Sequence, residues 1–172
     1  MNLRAIATRP GRRRVALGAA ALVAGLGVVV ASGAATGAAS STGPEAISPA
    51  GFEWTADYGM SPAVRVGDLL FLSGQVAEVD GDPADPEALR AAYRGMFASA
   101  EAVLSEAGAS WDGVVDVTSF HTDVEAQGEL FMEVRGEFVG DGPFPTWTAV
   151  DADRLYTDDI ATEIKLVAYV GE

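Results

Sequence analysis

Hydrophobic positions change their period along this chain, and the changes mark out its elements. Ala63–Val66 and Leu69–Ala77 are β-rich runs separated only by Gly67-Asp68, a connection suited to a tight hairpin. The Asp- and Pro-rich stretch from Asp80 to Pro86 reads as a loop, with Asp85 an N-cap and Pro86 at the first helical position. From Pro86 to Ala107 the apolar positions fall at Leu89, Ala92, Tyr93, Met96, Phe97, Ala100, Val103, Leu104 and Ala107. That is the stripe of an amphipathic helix, stopped by Gly108. Val114–Thr122 reads as a strand, and Asp123 caps a second helix ending near Gly140 with Leu130, Phe131, Val134 and Phe138 inward. Thr146–Val150 is a further strand. Ile160–Val170 closes the chain as a strand with Ile160, Thr162, Ile164, Leu166 and Ala168 on one face and Ala161, Glu163, Lys165, Val167 and Tyr169 on the other.

The order ββαβαββ predicts a two-layer α+β domain, a mixed sheet with two helices on one face. The uncovered face carries Leu69, Phe71, Val76, Val167 and Tyr169, too apolar to leave in water, so association of copies through the sheet is expected.

The first part of the chain follows a different pattern. Met1–Arg14 is basic, and Val15–Ala31 follows as 17 uncharged residues, mostly Ala, Val, Leu and Gly. Residues 1–39 therefore read as a signal peptide cleaved before Ser40 or as an uncleaved membrane anchor, and either places the remainder outside the cytoplasm, periplasmic or secreted. Residues 40–53 read as a flexible linker and 54–172 as the domain.

Charge sharpens the division. The chain carries a formal −14, yet from Glu45 onward six basic residues face all 25 acidic ones, a net −19. Such a body disfavours nucleic acid, and contact with a membrane is expected only through the N-terminal segment. The absence of cysteine excludes disulfides, thiolate metal sites and a cysteine nucleophile, and one histidine, His121, cannot form a histidine metal cluster. No metal or cofactor is expected.

Ala63-Val64-Arg65-Val66-Gly67-Asp68 running into Leu72-Ser73-Gly74-Gln75-Val76, then Leu104-Ser105-Glu106-Ala107-Gly108, Val114–Thr118, Thr122-Asp123 and the closing Glu163–Ala168 resemble the RidA/YjgF family of enamine/imine deaminases. The resemblance covers about Tyr58 to Val170. It implies a chorismate-mutase-like (YjgF-like) homotrimer around a central barrel, with a small-molecule ligand in each of three inter-subunit clefts. It also implies hydrolysis of 2-imino or 2-enamino acids to 2-oxo acids and ammonia.

Residue by residue, the resemblance assigns Glu163 as the catalytic, water-orienting carboxylate and places Ser73 and Gly74 in the pocket. The family's carboxylate-binding arginine corresponds to Trp147, in the segment Pro145-Thr146-Trp147-Thr148-Ala149-Val150, and its helix asparagine to Met132. Ala149 lies in the same segment, and the pocket tyrosine falls near Met60, with Tyr58 close by. An indole has one N–H and no charge, so it cannot reproduce a guanidinium fork.

Arg135, three residues beyond Met132, reaches the cleft in one reading and pairs with Glu133, Glu137 or another acid on the surface in the other. Arg154 follows the strand in a loop and is open to the same surface pairing. Glu163 orients water or pairs with Lys165; Ser73 is a structural pocket residue rather than a nucleophile; His121 is a packed or hydrogen-bonded core residue, with a catalytic role the lesser reading. Trp147 either turns an anion site into an apolar pocket or fills it. Two functions follow: an exported hydrolase of imines or enamines with an altered substrate range, or a non-catalytic trimeric binding module of the same fold. Chorismate mutase activity ranks behind both because shared fold alone suggests it.

Overall fold

The computed structural model describes residues 43–171, so the targeting segment 1–39 lies outside the described residues. Seven strands form one sheet. They are β1 (Glu45–Ile47), β2 (Ala63–Val66), β3 (Leu69–Leu72), β4 (Gln75–Glu78), β5 (Val114–His121), β6 (Thr146–Asp151) and β7 (Ile160–Tyr169). Two helices, α1 (Pro86–Glu106) and α2 (Val124–Arg135), cover one face. The spatial order is β1-β2-β3-β7-β5-β6, with β4 also paired to β7. Only β5 and β6 run parallel, so the sheet is mixed as expected.

Both helices start where their caps place them. The Asp85 carboxylate accepts from the Glu87 N–H and the Asp123 carboxylate from the Ala126 N–H. The apolar stripe of α1 lies buried from Leu89 to Leu104, against the inner residues Leu70, Leu72, Val117, Ile164 and Leu166 of the sheet. Each such side chain contributes about 1.5–3 kcal/mol of burial, so the α1–sheet contact dominates the core. Helix α2 ends at Arg135, before the expected Gly140. Gly136 opens a turn whose Phe138 and Val139 N–H groups return to the Arg135 carbonyl, and Phe138 still reaches the core by stacking on Phe97 at 5.3 Å.

Two expectations change. Glu45–Ile47, inside the segment read as a linker, is an edge strand paired with Ala63–Arg65. Leu69–Ala77, read as one strand, is two, broken at Ser73-Gly74: β3 pairs with the end of β7 and β4 with its beginning. At the break the Ser73 N–H and hydroxyl turn to the carbonyls of Pro62 and Ser61.

The open face of the sheet is apolar. Val66, Leu69, Phe71 and Tyr169 are each 41–46% exposed there.

Candidate functional site

The strand alternation that builds the core also separates the candidate residues into two groups. On β7, Glu163 points to the open face, opposite Val76 and Phe120 across the two neighbouring strands, whereas Ile164 points into the core. On β6, Trp147 points to the helix-covered face, where its indole N–H donates to the Ser119 hydroxyl at 3.0 Å. A layer of sheet lies between the two groups. One chain does not bring them together.

The first group is Ser73, Gly74 and Glu163. The Glu163 carboxylate lies directly against Gly74, so that a Cβ at residue 74 would overlap its Oε1. A side chain at residue 74 would have to displace the carboxylate. Glu163 is half-buried between Val76 and Phe120, and desolvation raises its pKa above the usual carboxylate range despite the opposing charge of Lys165. The two make no ion pair among the described residues, though the Lys165 charge acts on the carboxylate. Ser73 is spent on the Ser61 carbonyl at 2.7 Å, in keeping with a structural role. Tyr58 ends a short 3-10 segment, Glu53–Tyr58, and packs edge-on to Trp54 at 6.0 Å, well exposed and outside the second group.

Gly74→Ala is expected to destabilise the fold by about 1–3 kcal/mol through this overlap. Thermal unfolding of the double variant Gly74→Ala/Glu163→Ala checks the cause: stability returns if the carboxylate is what the new methyl meets.

The second group lines a cleft of about 370 Å³ between α2 and β6, walled by Phe131, Met132, Arg135, Phe144, Trp147 and Ala149. Trp147 meets Phe131 edge-on at 5.7 Å. The Arg135 guanidinium lies 4.8 Å from the centre of the Trp147 ring and 5.6 Å from that of Phe144, within cation–π range of both. Its Nε is buried and lacks a hydrogen-bond partner.

The surface-pairing reading of Arg135 is thus overturned. Glu133 and Glu137 bind Arg90 and Arg94 of α1 instead. Residues two apart on a helix point to different sides, so with Glu133 facing α1, Arg135 faces β6. Arg154, by contrast, pairs with Asp158 at 2.8 Å in its loop.

Three contributors to the cleft were not assigned to it from the sequence. Phe144 comes from the loop before β6, where no periodicity places a side chain. Ser119 and His121 form the cleft floor; His121 was read as a core residue, and the imidazole is indeed buried, with Ser119 and Thr162 as hydrogen-bond partners at 3.0 and 3.1 Å. Burial lowers the His121 pKa below the ordinary histidine value, against smaller opposing effects of Gln127 and Asp151.

Chemically, the arrangement provides a desolvated carboxylate on one face and, on the other, an aromatic-backed cation in an apolar cleft with no acid paired to it among the described residues. The cleft suits a small anion with an apolar body.

Known proteins agree with this architecture. The family model described as Endoribonuclease L-PSP matches residues 53–170. The RutC family protein YjgH of Escherichia coli (strain K12) is 41% identical over 128 residues, covering 74% of this chain and 95% of that protein. The RutC family protein PYRAB12510 of Pyrococcus abyssi is 31% identical over 116 residues, 63% of this chain and 84% of its own length. The solved structure of protein YJGH superposes with a TM-score of 0.64 at 38% identity, over 74% of this chain and 97% of that one. A YjgF/YER057c/UK114 family member from Mycobacterium tuberculosis gives 0.61 at 26%, over 74% and 100%. The chain belongs to the Endoribonuclease L-PSP family, the family of the YjgF and RidA proteins.

Proposed function

We propose that the protein hydrolyses imines or enamines that bear a carboxylate and an apolar side chain, with Arg135 holding the carboxylate and Glu163 orienting the attacking water. The observation that carries this reading is the Arg135 guanidinium lying over Trp147 in an apolar cleft, with no acid bound to it among the described residues of a domain with 25 acids against six bases. Trp147 occupies the position of the arginine that family resemblance led one to expect. Arg135, from the adjacent helix, restores the missing charge above the indole.

Because Glu163 and Arg135 lie on opposite faces of one sheet, the reading requires two copies of the chain, one supplying each half of every site. The exposed apolar face around Leu69, Phe71 and Tyr169 supports such an assembly, and a homotrimer is the form proposed. In the reaction, the Glu163 carboxylate accepts a proton from water as the water oxygen attacks the C=N carbon of the protonated imine, giving a carbinolamine. That proton passes to nitrogen, and ammonia leaves as the C=O of the 2-oxo acid forms and the hydroxyl proton goes back to the Glu163 carboxylate; an enamine first takes a proton at carbon to become the protonated imine. A carboxyl group with a raised pKa suits both the uptake and the return of the proton. The acid excess argues against a ribonucleic acid substrate. Export by the basic and apolar N-terminal segment is part of the proposal.

The test generates 2-imino acids in situ from leucine or phenylalanine with an amino-acid oxidase and follows their loss in the presence of the protein. Acceleration above the spontaneous rate supports the reading. No acceleration, with the corresponding 2-oxo acids still bound, would assign the chain to the binding-module alternative.

A further inference from the structure

A chain of hydrogen bonds runs behind the cleft from β6 to β7, and its direction is determined at both ends. The Trp147 indole can only donate, and it donates to the Ser119 Oγ at 3.0 Å. At the other end the Ala161 carbonyl can only accept, and the Thr122 hydroxyl donates to it at 3.1 Å. Having spent its proton, Thr122 accepts from the Gln127 side-chain N–H at 3.0 Å, which turns the Gln127 oxygen to Thr162. The Thr162 hydroxyl donates to that oxygen at 3.3 Å, so its own oxygen accepts from the His121 Nδ1–H at 3.1 Å. Tyr93 supplies a second donor to Thr162 at 3.3 Å. His121 Nε2 is then bare and accepts the Ser119 proton at 3.0 Å, completing the run.

We propose that Ser119, His121 and Thr162 are positioning residues for Trp147 and hence for the Arg135 guanidinium upon it, acting through a relay that requires neutral His121 with its proton on Nδ1. Its functional meaning rests on the proposed role of the Arg135 cleft. The alternative states of His121 break the relay. With a proton on Nε2, His121 donates to Ser119, the Ser119 oxygen receives two donors and the Ser119 proton loses its acceptor. Ser119 and His121 are fully buried, so no water replaces the lost bond. The buried imidazole, with its pKa lowered by desolvation, stays neutral near pH 7.

The chain has a single histidine, so a ¹⁵N-histidine-labelled sample reports one imidazole and its nitrogen shifts give the tautomer directly. The expected result at pH 7 is neutral imidazole with the proton on Nδ1. Thr162→Val, which does not touch Trp147, is expected to move His121 to the Nε2–H form and to shift the Trp147 indole N–H resonance, identified by its disappearance in Trp147→Phe. It is also expected to raise KM for the imino acid about five- to tenfold with kcat little changed, the scale of one lost hydrogen bond. An Nε2–H or doubly protonated His121 in the wild type overturns the relay, as does a Trp147 resonance indifferent to Thr162→Val. The wild-type tautomer requires no variant to fold and no activity, so a protein inert toward imino acids defeats the proposed reaction while the relay is decided separately.

Discussion

Arg135→Met is expected to lower kcat/KM for 2-imino acids by about 10²–10³, the effect of removing a charge-assisted contact of roughly 3–4 kcal/mol. Methionine keeps the helical propensity of α2 and the apolar cover over Trp147, so the fold should remain intact. The loss should fall mainly on KM, because the carboxylate is bound alike in ground and transition states. Arg135→Lys should recover only part of it, since an ammonium keeps the charge but not the planar stack on the indole. The corresponding imino ester, which has no carboxylate, provides the control: wild type and Arg135→Met should process it equally. Equal activity of the two proteins on the free imino acid would remove Arg135 from substrate binding.

Glu163→Gln is expected to lower kcat by about 10²–10⁴, the usual worth of a positioned general base, while raising stability at pH 7. The sign follows from the raised pKa. Folding favours the protonated form of Glu163, so its contribution is most favourable below the ordinary glutamate value of 4.5 and declines as pH rises through the folded pKa. At neutral pH the desolvated carboxylate is a net cost, which the neutral amide avoids. Unfolding midpoints of the two proteins should therefore differ most near pH 7 and converge toward pH 4.5. A variant less stable than wild type at pH 7 would show the carboxylate to be satisfied where it lies. Lower activity together with higher stability is the signature of a group retained for chemistry.

Most of the scaffold could be read in the residues themselves, for local reasons. Asp85-Pro86 and Asp123 set the helix starts because their side chains bond the first turn directly, and the inward row of β7 from Ile160 to Ala168 was visible as a period of two. What could not be read depends on distant partners. Glu45–Ile47 is flanked by prolines at 44 and 49 and becomes a strand only because β2 offers it an edge. Leu69–Ala77 carries no break signal stronger than Ser73-Gly74, and it divides there because Ser73 finds Ser61 and Pro62.

The site was legible in the same uneven way. Glu163 was placed on its face by alternation alone. The environment of Arg135 was not, because it depends on Arg90 and Arg94 of α1 claiming Glu133 and Glu137, and on a loop bringing Phe144 over the guanidinium. His121 was assigned to the interior, but a burial pattern says nothing of proton direction; that followed only once Trp147 and Ala161 supplied the two ends.

If the proposed assembly forms, the placement of Glu163 and Arg135 on opposite faces of the sheet would let impaired variants complement one another. In an assembly whose every cleft joins the faces of neighbouring copies, a chain lacking Arg135 still lends its Glu163, and a chain lacking Glu163 still lends its Arg135. Equal mixing of the two before assembly leaves about one cleft in four with both residues intact, on the combinatorics of a closed ring. Under the proposed assembly, activity would thus reappear from two preparations that each have little, as a property of pairs of chains.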